Sequence, residues 1–257
     1  MAEGGNILAK IIKELEKNVK PEITTKELDR LAESLILNSG GQCSFKGYRG
    51  TRGELEKPFP ACLCTSVNEE IVHAIPSSRI LKKGDIISLD LGIQWKGFHT
   101  DMAVTVPAGE IKPEVKRLID VTRKSLEIGI EKIKPGNFIG DISKAIQKFV
   151  EGQGFNVVRE LCGHGIGKKI HEEPEILNSV SLDKITVDRV SYAGAGRIEL
   201  KEGMVLCIEP MVTAGDWHIK KSKDDFGFET EDGSLSCHFE HTVAVTREGY
   251  LILTILE

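Results

Sequence analysis

Ile86–Val106, IISLDLGIQWKGFHTDMAVTV, is the stretch whose reading decides the fold. It reads as two strands about a tight turn at Gln94–Gly97, with Trp95 and Lys96 at its centre. That register puts Asp90 directly opposite Asp101, their Cβ atoms about 5 Å apart. Two carboxylates this close repel by about 3 kcal/mol at an effective dielectric of 20. Only a shared proton or a cation relieves such a pair.

The second half of the chain echoes the pattern. Lys82-Lys83-Gly84 leads through four residues and Leu89 to Asp90, and Lys201-Glu202-Gly203 leads in the same way to Glu209. Asp101-Met102-Ala103-Val104 aligns with Glu240-His241-Thr242-Val243. Each half ends one strand on an acid and starts another with an acid. The repeat implies two half-domains, approximately residues 60–150 and 155–257, that bring four carboxylates to a shared centre. A common turn-plus-strand explains either copy alone, but it explains two copies with matching acids poorly.

A chain of 257 residues is long enough to bury a sizeable core. Its net charge of −5 offers no bulk basic surface for nucleic acid. No apolar run reaches membrane-spanning length, and the N-terminus lacks the zones of a signal peptide. The expected compartment is the cytoplasm, where six cysteines are expected to stay reduced. No CxxC pair marks a structural zinc site, and Cys207 and Cys237 read as strand residues.

Helices are expected over Asn6–Val19 and after Thr24-Thr25-Lys26-Glu27, a capping-box pattern. These N-terminal helices occupy residues 6–38. Pro113–Lys132 and Asp141–Glu151 read as amphipathic helices that cover a sheet, the first with proline at a favoured position. Short strands are expected at Ala61–Ser66, Ile71–Ile75 and Phe155–Leu161. The fold class is α+β: an antiparallel sheet with a pseudo-two-fold repeat, covered by helices.

Asp90, Asp101, Glu209 and Glu240 supply hard oxygen donors suited to divalent cations. Any one of them alone could be a surface acid at a strand end. His164 lies in Gly163-His164-Gly165-Ile166-Gly167, where small neighbours let an imidazole project into a crowded centre. The same run also reads as a glycine-rich turn with an incidental histidine. His73 lies in an apolar strand, where a lone histidine is more often a satisfied core residue. His99, His218, His238 and His241 flank the acids and are assigned to their surroundings or to the surface. There is no GxSxG elbow and no cysteine with a supporting signature. Metal-assisted hydrolysis is the best chemical reading: two cations about 3.5–4 Å apart activate water and polarise a carbonyl.

With these residues in place the chain resembles the type I methionine aminopeptidases of the pita-bread fold. The resemblance runs from about Asn6 to the C-terminus and rests on Asp90, Asp101, the His164 motif with His171 seven residues on, Glu209-Pro210 and Glu240. It implies one catalytic domain over residues 1–257 and two divalent ions, Co, Mn, Fe or Zn. Asp90, Asp101 and Glu240 would hold one ion. Asp101 and Glu240 would bridge to the second, completed by His164 and Glu209. Glu209 would act as general base, with His171 at the scissile carbonyl and His73 at the scissile amide. Cys64, Phe59 and Trp217 would line a methionine pocket. The implied reaction removes the initiator methionine from nascent chains whose second residue is small. A monomer with transient ribosome contact, no nucleic-acid site and no membrane is expected. Ile170 departs from the family, which usually has an aromatic there. Residues 48–58 and 180–197 look longer than its compact bacterial pattern. Two rivals are a proline-specific peptidase of the same fold and a non-catalytic relative that binds peptides or ribosomes.

Overall fold

The computed structural model describes residues 1–50, 55–180, 186–187, 190–191 and 195–256. Its centre is a nine-stranded sheet built outward from the Ile86–Trp95 and Phe98–Pro107 hairpin. The turn falls one residue later than expected. Lys96 and Gly97 are its central residues, with φ of 51° and 82°, the left-handed pair that matches the twist of a two-residue hairpin. The register shifts accordingly: Asp90 pairs with Ala103, and Asp101 with Gly92. The two acids are diagonal neighbours rather than directly opposed. Because the shift is even, both stay on one face.

The second half mirrors this arrangement. Val205–Ile208 pairs antiparallel with Glu240–Thr246 on one side and with Cys162–Gly165 on the other. The halves meet where Glu240 pairs with Ala103 and His241 with Met102. Beyond this short ladder, threonine hydroxyls replace backbone partners. The Thr242 hydroxyl accepts from Asp101 N and donates to Asp101 O, both at 2.8 Å. The Thr105 hydroxyl does the same for His238, at 2.9 and 2.8 Å.

Among the described residues four α-helices cover the sheet: α1 (Ala2–Asn18), α2 (Thr25–Asn38), α3 (Pro113–Ile130) and α4 (Ile139–Gly152). α1 begins four residues before the expected Asn6. Glycine weakens a helix by about 1 kcal/mol, but here it is needed for packing: a Cβ on Gly5 would lie 2.1 Å from Leu253 O. The α2 capping box forms as expected, with Thr24 N donating to Glu27 Oε2 at 2.8 Å and Glu27 N donating to Thr24 Oγ1 at 3.2 Å. α4 starts two residues early, and Asp141 turns back to accept from Phe138 N at 2.8 Å. Leu8, Leu15, Leu28, Ile36, Ile119 and Ile146 pack with Leu89, Leu91, Leu206 and Val243 into one core. Leu89 and Leu91 alternate with Asp90, so the apolar side of the strand meets this core while the acid points the other way.

Several expected strands are shorter. Leu63–Val67 replaces Ala61–Ser66, Glu70–Val72 ends before His73, and only Asn156–Val157 is a strand within 155–161. Parts of the 48–58 and 180–197 segments lie outside the described residues. Within the second, Thr186–Val187 pairs with Val190–Ser191.

The expectation of six reduced cysteines is overturned by a Cys43–Cys62 disulfide, its Cα atoms 5.2 Å apart. Gln42–Cys43 and Leu63–Val67 run along the same edge of Ile86–Trp95, with Cys43 opposite Ile93 and Leu63 opposite Leu91. This shared edge brings the two thiols together across 19 residues of sequence. The loop so closed carries Phe45, Tyr48 and Phe59. No helix among the described residues is long and apolar enough to cross a membrane.

Candidate metal centre

Four strands deliver the acids. Asp90 and Asp101 come from the first hairpin, Glu209 directly follows Val205–Ile208, and Glu240 opens the strand beside it. All four are at least nine-tenths buried. Donor atoms of Asp90, Asp101 and Glu240 lie within 4.8 Å of one another, as do those of Glu209, His238 and Glu240. Burial raises every one of these carboxyls. Asp101 reaches about 7, and Asp90 goes well above the ordinary range through burial and then the charge of Asp101. Glu209 and Glu240 are driven up by burial first and by their acidic neighbours second.

No lysine or arginine among the described residues pairs with these acids. Asp90 Oδ1 and Glu240 Oε1 are buried without a hydrogen-bond partner. An unpaired buried carboxylate is costly, and this set of convergent oxygens fits divalent cations. The residues present therefore fit the metal that the sequence implied.

His164 sits on the Cys162–Gly165 strand rather than on a loop. Its glycine neighbours are needed for close approach, not for unusual backbone angles. A Cβ on Gly163 would lie 2.2 Å from Cys207 O, and one on Gly165 2.2 Å from Glu173 O. His164 Nδ1–H donates to Gly165 O at 2.9 Å, which leaves the Nε2 lone pair facing Glu209 Oε1 at 3.6 Å. Burial lowers its pKa to about 4, so the ring is neutral at pH 7 and can act as a ligand.

The acids form the floor of a cavity of about 280 Å³. Phe45, Phe59, Cys64 and Phe226 give it an apolar wall, and Tyr48, His73 and His171 ring it. Burial pushes the Cys64 thiol well up, so this wall is uncharged. His171 Nδ1 is 2.6 Å from the Tyr48 hydroxyl, and its ring centroid is 4.3 Å from that of His164. His73 has φ of 60° just past its strand, a left-handed conformation that costs a side-chain-bearing residue about 1–2 kcal/mol. Such strain collects at functional sites.

Of the expected pocket residues, Phe59 and Cys64 line the cavity and Trp217 does not. Trp217 stacks on His218 at 3.8 Å and carries the Arg159 guanidinium 4.7 Å from its ring. Phe226 occupies the wall instead, edge-on to Phe59 at 5.6 Å. Ile170 packs in the same apolar cluster as Phe45, Phe59 and Cys64. His238, assigned from sequence to the surroundings or the surface, is 1% exposed with its Nε2 3.5 Å from Glu209 Oε2. Its position two residues before Glu240 was the available signal, since alternate strand residues share a face.

A helix-covered antiparallel sheet whose buried acids fit divalent cations and face a cavity points to the class of metallohydrolases. Comparison with known proteins sharpens this: the sequence profile of metallopeptidase family M24 matches residues 1–247, and the chain belongs to that family. Methionine aminopeptidase 1 of Bacillus subtilis is 46% identical over 254 residues, 99% of this chain and 94% of the relative. The crystal structure of methionine aminopeptidase from Thermotoga maritima superposes with a TM-score of 0.88 at 38% identity, covering 100% of this chain and 95% of that one. A prolidase from Pyrococcus furiosus, at 20% identity and TM-score 0.72, shares the fold; this chain spans 63% of it. The fold is the pita-bread fold of this family.

Proposed function

We propose that this chain is a metal-dependent aminopeptidase that removes N-terminal methionine from peptides and nascent proteins whose second residue is small. The observation that carries this reading is the juxtaposition, in one cavity, of four buried carboxylates with an uncharged apolar wall. Asp90, Asp101, Glu240, His164 and Glu209 would hold the divalent ions. Mn, Fe, Co and Zn all suit this donor set. When bound, such ions neutralise the acids, polarise the substrate carbonyl and activate water.

The chain's own residues do the rest. Phe59, Cys64, Phe45 and Phe226 hold the methionine side chain, whose thioether favours a polarisable apolar slot. His171, oriented by Tyr48, donates to the scissile carbonyl oxygen. His73, fixed by its strained backbone, reaches the scissile amide nitrogen. Glu209 takes a proton from the attacking water and returns it to the leaving amine. A short second side chain would be selected by steric exclusion beside the acids and histidines.

The same reading takes residues 1–257 as one catalytic unit, a monomer acting in the cytoplasm with transient ribosome contact. The single-unit part of this reading is supported by a central sheet that draws its strands from both half-repeats. The Cys43–Cys62 disulfide is the feature least expected of a reducing compartment.

The test is a comparison of Met-Ala-Ser, Met-Leu-Ser and an Xaa-Pro dipeptide. Methionine release from Met-Ala-Ser at least about 100-fold faster than from Met-Leu-Ser, with no Xaa-Pro cleavage, is the expected result; about 3 kcal/mol of steric discrimination gives that ratio. Preferred hydrolysis of the Xaa-Pro dipeptide would reassign the site to proline-specific chemistry.

A further inference from the structure

His238 is a buried polar side chain for which neither the ligand set nor the substrate contacts account. Its ring is 1% exposed, and neither Nδ1 nor Nε2 has a hydrogen-bond partner. A buried imidazole left in that state is costly, so the ring needs a partner when the enzyme is at work. Glu209 Oε2 lies 3.5 Å from Nε2.

The Glu209 carboxylate lies between two imidazoles. Oε1 faces His164 Nε2 at 3.6 Å and Oε2 faces His238 Nε2 at 3.5 Å. The two rings are supported differently. His164 has its Nδ1–H tied to Gly165 O, the arrangement found in metal-ligating histidines, which almost always donate their other ring N–H. His238 Nδ1 has no such tie. It therefore suits the opposite role, with Nε2–H donating to the carboxylate and a bare lone pair left on Nδ1.

The backbone under His238 is held firmly. Thr105 Oγ1 accepts from His238 N at 2.9 Å and donates to His238 O at 2.8 Å, and Ser88 Oγ lies 2.8 Å from the same hydroxyl. His238 also pairs with Met211, two residues past Glu209, in the short Ser236–His238 ladder. The ring's place opposite Glu209 is thus set from the first hairpin and from the Glu209 side alike.

We propose that His238 is a positioning residue that donates a hydrogen bond to Glu209 Oε2. It fixes the carboxylate so that Oε1, on the His164 side, would be the oxygen offered to a metal and Oε2 the oxygen that handles the proton. This rests on the reading of Glu209 as both ligand and general base.

The test uses Mn²⁺-loaded enzyme with His238→Leu, which fills the volume without a donor, and His238→Gln, which keeps an N–H donor. His238→Leu is expected to lower kcat on Met-Ala-Ser by about 10–100-fold with KM little changed. In calorimetry it should weaken one equivalent of Mn²⁺ by about the same range, the usual cost of losing an outer support of a metal ligand. His238→Gln is expected to restore both to within about fivefold of the parent. Equal losses in the two variants would overturn the proposal in favour of direct ligation by the imidazole, and parental behaviour of His238→Leu would overturn it outright. A Glu209→Gln control separates the premises. If it is inactive while His238→Leu is fully active, only the role of His238 falls. If Glu209→Gln turns over normally, the assignment of Glu209 fails, and this proposal with it.

Discussion

Glu209→Gln is expected to lower kcat on Met-Ala-Ser by at least about 1,000-fold while the protein keeps its fold. General base catalysis contributes roughly 10²–10⁴-fold, and here the same substitution also removes a ligand. Glutamine matches glutamate in shape, so it preserves the backbone bond in which Asn178 Nδ2 donates to Glu209 O at 3.0 Å. What it removes is the anionic oxygen facing His164 and the proton acceptor facing His238. Circular dichroism and a melting curve alongside the kinetics check that only chemistry is lost. Turnover within tenfold of the parent would mean that another group carries the proton.

Asp101→Asn is expected to do two opposite things. Activity should fall by at least about 1,000-fold through loss of bound metal, read directly by elemental analysis of the purified protein. In chelator, however, the variant should be the more thermally stable protein. The reason is linkage. Burial raises the folded-state pKa of Asp101 to about 7, against roughly 3.9 for an unfolded aspartate. Between those values the folded state binds more protons than the unfolded one, so the acid's contribution to stability falls as pH rises. Above pH 7 the metal-free parent carries the full penalty of a buried charge, and below about pH 4 it carries none. The gap in Tm should therefore be largest above pH 7 and shrink as pH is lowered. Asp90, Glu209 and Glu240, whose carboxyls the charge of Asp101 raises, also lose a repelling neighbour in the variant, which acts in the same direction above pH 7. A variant that is less stable than the parent at pH 8 in chelator would contradict this account.

The acidic centre was legible because its signal is redundant. Two copies of one strand pattern, each with acids at matching positions, survive errors in detail. The hairpin turn was misplaced by one residue and the register by two, yet Asp90 and Asp101 stayed on one face because strand periodicity is two. The α2 start was legible for a different reason: Thr24 and Glu27 satisfy each other locally, with no help from the rest of the chain.

What escaped the sequence depends on contacts between distant segments. Trp217 and Phe226 are both aromatics in the 215–228 stretch, and only the course of that chain puts one in the wall and the other against Arg159. The disulfide follows from two short strands sharing one edge, a topology that cysteine spacing does not encode. The start of α1 at Ala2 rather than Asn6 likewise depends on a distant segment, since Gly5 lets Leu253 pass close by. His238 gave a weak local signal, and its meaning appears only when Glu209, 29 positions earlier, is placed beside it.

The most direct test of the central claim is methionine release from Met-Ala-Ser by one preparation in three states: as purified, after exhaustive chelation, and after Mn²⁺ or Co²⁺ is restored. The buried acids predict that chelation abolishes release and that added metal brings it back. Undiminished release by protein shown to be free of metal would contradict the account.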